Sequence, residues 1–209
     1  MPTVCGLILA AGASSRMGTD KALLPWPAAN TTGATLLSSV IAALKPLTSE
    51  VIVVAGNNAQ RLAAIIASGG AAMVINPAPE RGQFSSLQTG LREVLQRGCD
   101  AAMITPVDCA PLSMASLQLL REAFDHALAR GQWAVAPESG GRRGHPLLAA
   151  RPLIDAFVSA PVTGNARDVK RANAQRFEYI AVSDLHLSAD MNTPEEYAAI
   201  SAVAHNAKS

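Results

Sequence analysis

The chain has 209 residues, of which 49% are hydrophobic, 16% are charged and 4% are aromatic, and its 17 Lys and Arg residues against 16 Asp and Glu residues give a formal net charge of +1. This length predicts one domain over residues 1–209, large enough to bury an extensive core without disulfides. The high apolar fraction and the balanced charge exclude intrinsic disorder, and they disfavour a protein dedicated to binding nucleic acid.

The cysteine pattern and the hydropathy pattern indicate in which cellular compartment the protein works. Cys5, Cys99 and Cys109 show no C-x-x-C spacing, so we expect reduced thiols rather than a disulfide framework or a zinc site. No uninterrupted apolar stretch reaches the ~18 residues that a membrane span requires. We therefore expect a cytoplasmic protein without a membrane partner.

The first half of the chain alternates short apolar runs with longer amphipathic ones. Continuously apolar runs predict strands that are buried on both faces, at 4–10, 51–55, 72–75 and 101–104. Apolar residues spaced three and four apart predict helices over 35–44, 58–67, 85–95 and 113–128. Ser85 and Ser113 are the expected N-caps of the last two helices. A strand followed by a helix, repeated four times, predicts an α/β fold with a doubly wound, mostly parallel sheet.

The second half follows a different order. After an apolar strand at 133–136, the sequence predicts a polar loop over 138–145 and a short apolar run over 146–149. We then expect elements of both kinds: helices near 153–158 and 166–174, a strand at 177–182, a closing helix over 193–203 and a frayed tail at 204–209.

The segment from Leu9 to Lys21 is the most unusual of the chain. It is rich in small residues, has glycines at positions 12 and 18, and carries the cations Arg16 and Lys21. Small side chains let backbone N–H groups approach an anion, so the loop favours a triphosphate ligand. A flexible turn with two solvated cations is the alternative. The glycine spacing matches neither the P-loop motif nor the G-x-G-x-x-G dinucleotide motif.

Two aspartates are candidate magnesium ligands. Asp108 follows the strand at 101–104, at the edge of a parallel sheet where ligands bind, and Asp190 precedes the closing helix. Mg²⁺ takes one or two protein carboxylates and completes its octahedron with phosphate oxygens and water. From its position alone, Asp108 is equally compatible with a simple loop carboxylate.

These motifs together resemble a known family. The segment Leu9-Ala10-Ala11-Gly12, followed by Ser15-Arg16-Met17-Gly18 and Lys21-x-x-Leu24-Pro25, is similar to the signature of nucleotidyltransferases with a GT-A-like (Rossmann-like) fold. Within that superfamily the chain most resembles the molybdenum cofactor cytidylyltransferases, and more distantly the guanylyltransferases of the same pathway. The resemblance runs from about Val4 to Tyr197 and includes Gly144-His145-Pro146.

The resemblance implies a role for each motif. The nucleotide-binding residues would be Leu9, Ala10, Ala11, Gly12, Ser14, Arg16, Lys21, Ser85 and Ser86. The metal ligands would be Asp108 and Asp190, with Mg²⁺ as the cofactor, and Arg16, Lys21 and Asp108 would be catalytic. The acceptor phosphate would meet Arg142, Arg143, Gly144, His145 and Pro146. The implied substrates are a nucleoside triphosphate and a molybdopterin-type phosphate, and a molybdoenzyme or its chaperone would receive the product.

Two positions disagree about the nucleotide. Ala11 resembles the alanine of cytidylyltransferases, whereas Asn192 stands where those enzymes carry an aspartate and resembles the guanylyltransferases. We favour CTP, because a residue beside the base discriminates directly. GTP, a sugar or isoprenoid phosphate as acceptor, and a carrier without catalysis remain the alternatives. The spacing from Asp108 to Pro111 also departs from the family, which places its proline closer to the aspartate.

Overall fold

A computed structural model describes residues 2–12, 17–26, 33–184, 187, 191 and 193–206. Within these residues lie eight strands, namely β1 (Val4–Leu9), β2 (Glu50–Ala55), β3 (Ala72–Ile75), β4 (Ala101–Pro106), β5 (Ala134–Ser139), β6 (Arg142–Arg143), β7 (Leu147–Ala150) and β8 (Phe177–Ala181). The α-helices of the same residues are α1 (Leu36–Leu44), α2 (Ala59–Ser68), α3 (Gln83–Gln96), α4 (Met114–Ala129), α5 (Arg151–Ser159), α6 (Ala166–Ala172) and α7 (Pro194–Asn206). None of these described helices is both long enough and apolar enough to cross a membrane.

All strands join one sheet, in the order β3-β2-β1-β4-β7-β5-β6, with β8 beside β5. The pairs β3–β2, β2–β1, β1–β4 and β5–β8 are parallel, whereas β7 runs antiparallel to both β4 and β5. The predicted α/β fold with a mostly parallel sheet is thereby confirmed. Because β7 is reversed, its first residue, Leu147, pairs with Ile104 near the end of β4. The turn before β7 therefore lies at the edge where β1, β2 and β4 end.

Helices cover both faces of the central strands. Ile8 and Val53 belong to the core under α1, α2 and α4, while the adjacent Leu7 and Ile52 belong to the core under α3 and α5. This double coverage explains why β1, β2 and β4 are continuously apolar. The prediction of two buried faces is wrong for β3. As an edge strand it leaves Ile75 56% exposed and Met73 38% exposed.

The helix starts were predicted with mixed success. Ser113 is the N-cap of α4, and its hydroxyl accepts a hydrogen bond from the Ser116 backbone N–H at 3.3 Å. Ser85 is not an N-cap, because α3 begins two residues earlier, after Gly82. Gly82 has φ +89°, a left-handed conformation that glycine adopts without strain. The loop predicted at 138–145 also contains β6, which pairs with the end of β5.

The prediction of three reduced cysteines is wrong for two of them. Cys5 in β1 and Cys99, just before β4, form a buried disulfide across 94 residues of sequence. Their pairing follows from the sheet, because β1 and β4 are parallel neighbours and both cysteines lie near the amino ends of these strands. Spacing along the chain gave no sign of this proximity. Cys109 is not part of a disulfide.

Candidate active site

A cavity of about 510 Å³ opens at the carboxyl ends of β1 and β2. The loop after β1 forms one wall and the loops after β2 and β3 form the other; the lining residues are Ala11, Gly12, Gly18, Thr19, Asp20, Asn57, Asn58, Arg61, Pro79 and Glu80. Its volume suits a small-molecule ligand. The start of the loop is fixed to the sheet, since the Ala10 N–H donates to the Val54 carbonyl at 2.8 Å. Of the residues expected to bind nucleotide, Ser14 and Arg16 lie outside the described residues.

A buried carboxylate that the sequence analysis missed connects the two walls. Asp20 is 7% exposed and accepts hydrogen bonds from the Ala22 N–H at 3.1 Å and from Asn58 Nδ2 at 2.8 Å. Asn58 Nδ2 also donates to the Ala10 carbonyl at 2.9 Å, and Asn58 Oδ1 accepts from the Gly56 N–H at 3.1 Å. Asn58 thus holds the loops after β1 and β2 in register. The sequence offered a weak signal, an Asn-Asn pair at a helix start, which is typical of simple capping.

The two predicted catalytic residues in the described part of the chain form an ion pair. Lys21 Nζ lies 2.9 Å from Asp108 Oδ2, and the two side chains are 11% and 27% exposed. They stand beside the cavity and not among the described residues that line it. The loop of Asp108 is attached to the sheet, because the Val107 N–H donates to the Leu9 carbonyl at 3.0 Å. Lys21 and Asp108, 87 positions apart, are therefore assembled by the β1–β4 pairing.

The Asp108 carboxylate suits a hard divalent cation. Its oxygens are partly accessible, and oxygen is the donor that Mg²⁺ and Mn²⁺ prefer. The Met191 N–H donates to the Asp108 carbonyl at 3.1 Å, which brings the segment before α7 against this loop. Asp190 and Asn192 themselves lie outside the described residues, so their expected roles remain predictions.

The Ser85 and Ser86 side chains form hydrogen bonds with other residues of the protein. Asn76, at the end of β3, donates from Nδ2 to Ser85 Oγ at 2.8 Å and to Ser86 Oγ at 3.0 Å. The Ser85 hydroxyl in turn donates to the Gly82 carbonyl at 2.8 Å. All three side chains are buried, and together they fix the turn that brings Pro79 and Glu80 to the cavity. Direct contact of these serines with nucleotide stays a prediction.

A second cavity, of about 380 Å³, starts at the turn before β7. Three of the expected acceptor residues line it, namely Arg143, Gly144 and His145; Arg142 and Pro146 do not. A Cβ on Gly144 would stand 2.4 Å from the Leu187 carbonyl oxygen, so only glycine fits there. His145 also lines a small gap together with Thr105 and Cys109, which places it against the Asp108 loop. Each member of the ion pair therefore has a chain neighbour near one cavity: Asp20 lines the first, and Cys109 shares the small gap with His145, which lines the second.

A cationic wall of this second cavity was not foreseen from the sequence. Arg167, Lys170 and Arg171, all on α6, face the turn that carries Arg143. The pKa of Lys170 is lowered, first by partial burial of its ammonium group and then by repulsion from Arg167 and Arg143. The sequence placed α6 correctly, but nothing in its pattern indicated which cavity the helix borders.

Comparison with known proteins decides the family. The model of the MobA-like NTP transferase domain matches residues 6–177, which is most of the chain. The chain belongs to the MobA-like NTP transferase family. It is accordingly a nucleotidyltransferase, and the resemblance stated from its motifs is confirmed.

The relatives of this MobA-like transferase divide between two nucleotides. It is 30% identical over 152 residues to a probable molybdenum cofactor guanylyltransferase of Rhodopirellula baltica, covering 73% of this chain and 69% of the relative. It is 25% identical over 199 residues to the molybdenum cofactor cytidylyltransferase of Escherichia coli, covering 94% and 95%. A manganese complex of Rv0371C from Mycobacterium tuberculosis shares its fold, with a TM-score of 0.68, 20% identity and coverage of 96% and 98%. Both curated relatives are thus named as molybdenum cofactor nucleotidyltransferases, and identity alone does not select CTP or GTP for this chain.

Proposed function

We propose that this transferase moves CMP from CTP to the phosphate of molybdopterin and releases pyrophosphate. The observation that carries the proposal is the Lys21–Asp108 ion pair. Lys21 follows Asp20, which lines the first cavity, and Asp108 precedes Cys109, which contacts the same small gap as His145 of the second, cationic cavity. Two substrate cavities flanking one carboxylate and one ammonium group suit transfer between two phosphates. The matching family is one of transferases, which disfavours the hypothesis of a carrier without catalysis.

The reaction needs little proton chemistry. A phosphate monoester has a second pKa near ~6, so the acceptor oxygen is already ionised at neutral pH. That oxygen forms a bond to the α-phosphorus of the triphosphate, and the bond from the α-phosphorus to the pyrophosphate oxygen breaks. Positioning and charge neutralisation then supply most of the catalysis.

The residues of the chain divide these tasks. Lys21 neutralises negative charge that accumulates on the leaving pyrophosphate, with Arg16 as its expected partner. Asp108, with Asp190 as its expected partner, holds the divalent cation, which we propose to be Mg²⁺. When bound, that ion neutralises phosphate charge and orients the triphosphate. The backbone around Ala11 and Gly12 positions the nucleotide.

CTP is favoured by Ala11. This residue lines the first cavity, so a change of one methyl group there alters the space beside the base. The Ala11→Gly variant introduces the glycine expected in guanylyltransferases, and it should shift the nucleotide preference from CTP toward GTP. We expect the ratio of the kcat/KM values for the two nucleotides to change at least ~10-fold, the scale for one methyl group in a pocket. An unchanged ratio would mean that Ala11 does not read the base.

A thermal-shift panel with CTP, GTP, ATP and UTP, each with Mg²⁺, Mn²⁺ or neither, tests the proposal. A ligand present at 100 times its Kd stabilises the folded state by about 2.7 kcal/mol. We expect a metal-dependent shift selective for CTP, followed by pyrophosphate release when molybdopterin is added. A shift selective for GTP would replace cytidylyl with guanylyl transfer. Absence of any shift would remove the nucleotide site from the first cavity.

A further inference from the structure

The second cavity carries an excess of positive charge, even though one of its cations, Arg143, lies 3.9 Å from the Glu138 carboxylate. Its described lining contains Arg143, Arg167, Lys170 and Arg171 and no carboxylate. Arg171 is neutralised by Asp168 at 2.6 Å. Neither Arg167 nor Lys170 forms an ion pair with any residue that the structure describes.

These cations repel one another. The pKa of Lys170 is lowered first by partial burial of its ammonium group, and repulsion from Arg167 and Arg143 lowers it further. Arg143 is held in place by Tyr179, since its guanidinium lies 3.8 Å from the centre of that ring. An anion in the cavity would relieve the repulsion, pair with Arg167 and Lys170, and give Arg143 a partner in addition to Glu138.

The second cavity extends from the edge of the sheet inward along β5 and β8. His145 lies at the edge of the sheet, against the Asp108 loop, and Tyr179 pairs with Ala136 deeper along β5 and β8. Phe177 and Tyr179 stack with ring centres 6.2 Å apart and form an apolar floor beside the cations. A ligand that enters from the reaction edge therefore meets a flat aromatic surface with a cationic rim.

We propose that Arg143, Arg167 and Lys170 form an anion-binding subsite that holds a phosphate-like, doubly charged group of the acceptor. The subsite extends the acceptor site beyond the turn at 142–146 onto α6, and it deepens the proposed function, on which the acceptor's identity rests. Its ligand is either the acceptor's reacting phosphate or a second anionic group of the same molecule. Arg167 and Lys170 are then residues that select for a highly charged acceptor.

Binding of inorganic phosphate tests the subsite without any turnover. Calorimetric titration should show saturable binding by the wild type that weakens at least tenfold in Arg167→Gln/Lys170→Met. Arg151→Gln is the matched control, because Arg151 is an exposed arginine on α5 that pairs with Asp155 and does not line the cavity. The double variant should keep or raise the Tm, since it removes repulsion. Equal phosphate affinity in the wild type and the double variant, or no saturable binding at all, would overturn the subsite.

The transfer reaction gives the second readout. With CTP and molybdopterin, the double variant should raise the KM for molybdopterin at least tenfold and leave the KM for CTP within twofold. An unchanged KM for molybdopterin would overturn the assignment to the acceptor. If the wild type transfers no nucleotide, the proposed function fails, while the phosphate titration still decides whether the subsite exists.

The source of the anion is decided by competition with molybdopterin from which the phosphate has been removed. If the double variant weakens binding of this dephosphorylated compound as strongly as that of molybdopterin, the subsite holds a second anionic group. If only molybdopterin loses affinity, the subsite holds the reacting phosphate. If neither loses affinity, the acceptor does not use the subsite.

Discussion

Replacing Asp108 by Asn breaks its ion pair with Lys21, and we expect this change to affect stability little and catalysis strongly. At 2.9 Å, the attraction of two unit charges is about 6 kcal/mol at an effective dielectric constant of ~20 and about 1.4 kcal/mol in water. Partial exposure and the desolvation of both groups leave a net contribution of about 1 kcal/mol. For a chain of this size that corresponds to a change in Tm of roughly 2–4 °C. Asp108→Asn should therefore remain folded.

The same substitution should abolish most of the activity. Asn lacks the charge that holds a divalent cation, and losing one preorganised charge contact reduces turnover by at least ~100-fold, or about 2.7 kcal/mol of transition-state stabilisation. Pyrophosphate release measured across a Mg²⁺ or Mn²⁺ titration tests this, with Tm recorded in parallel. Asp100→Asn is the control, because Asp100 is an exposed aspartate at the opposite end of β4. Turnover of Asp108→Asn above a tenth of wild type, with an unchanged metal requirement, would refute the metal assignment.

Three other perturbations examine the frame around the site. Asn58→Ala removes one of the two hydrogen-bond donors that the described residues give to the buried Asp20 carboxylate, so we expect the free energy of unfolding to fall by about 1–3 kcal/mol in denaturant titrations. No loss would show that water replaces the amide. Gly144→Ala places a Cβ 2.4 Å from the Leu187 carbonyl, and should raise the KM for the acceptor while leaving that for the nucleotide unchanged; equal effects on both would contradict a local role. Partial burial raises the pKa of Tyr197, so the folded state retains the phenol proton longer than the unfolded chain. The resulting stability is present below about pH 10 and is lost as pH rises through the raised pKa, and Tyr197→Phe should flatten that decline in unfolding free energy between pH 9 and 11.

Local patterns predicted the elements well, because their causes are local. The apolar run from Val4 to Leu9 is buried on both faces, and Ser113 caps α4 through a hydrogen bond within three residues. The failures depend on tertiary position. Ile75 belongs to an apolar run like that of β1, and only its place at the edge of the sheet leaves it exposed. Cys5 and Cys99 pair because their strands are neighbours, which the spacing of cysteines does not encode.

The candidate site likewise combines residues that local sequence predicted with residues whose role depends on tertiary position. Loop composition identified Lys21 and the position after a strand identified Asp108, and the sheet places the two side chains 2.9 Å apart. Asp20 and Asn58 escaped notice because each has an ordinary local explanation, as a loop carboxylate and as a helix cap. Their joint role exists only where the loops after β1 and β2 meet. Lys170 is a comparable case, since a cation on a short helix is unremarkable until its neighbours are known.

The reversal of β7 explains how one sheet borders two cavities of different character. In a purely parallel sheet, the strand next to β4 would present its carboxyl end at the reaction edge, followed by another strand-to-helix loop. Here the amino end of β7 lies there instead, so the turn with Gly144 and His145 comes against the Asp108 loop. The loops after the parallel strands β1, β2 and β3 line the first cavity, whereas the turn before β7 and helix α6 bring side-chain cations to the second. In the proposed function, the first cavity would hold the nucleoside triphosphate and the second the anionic acceptor. Exchanging acceptor specificity should therefore require changes around β7 and α6, with the loop after β1 left intact.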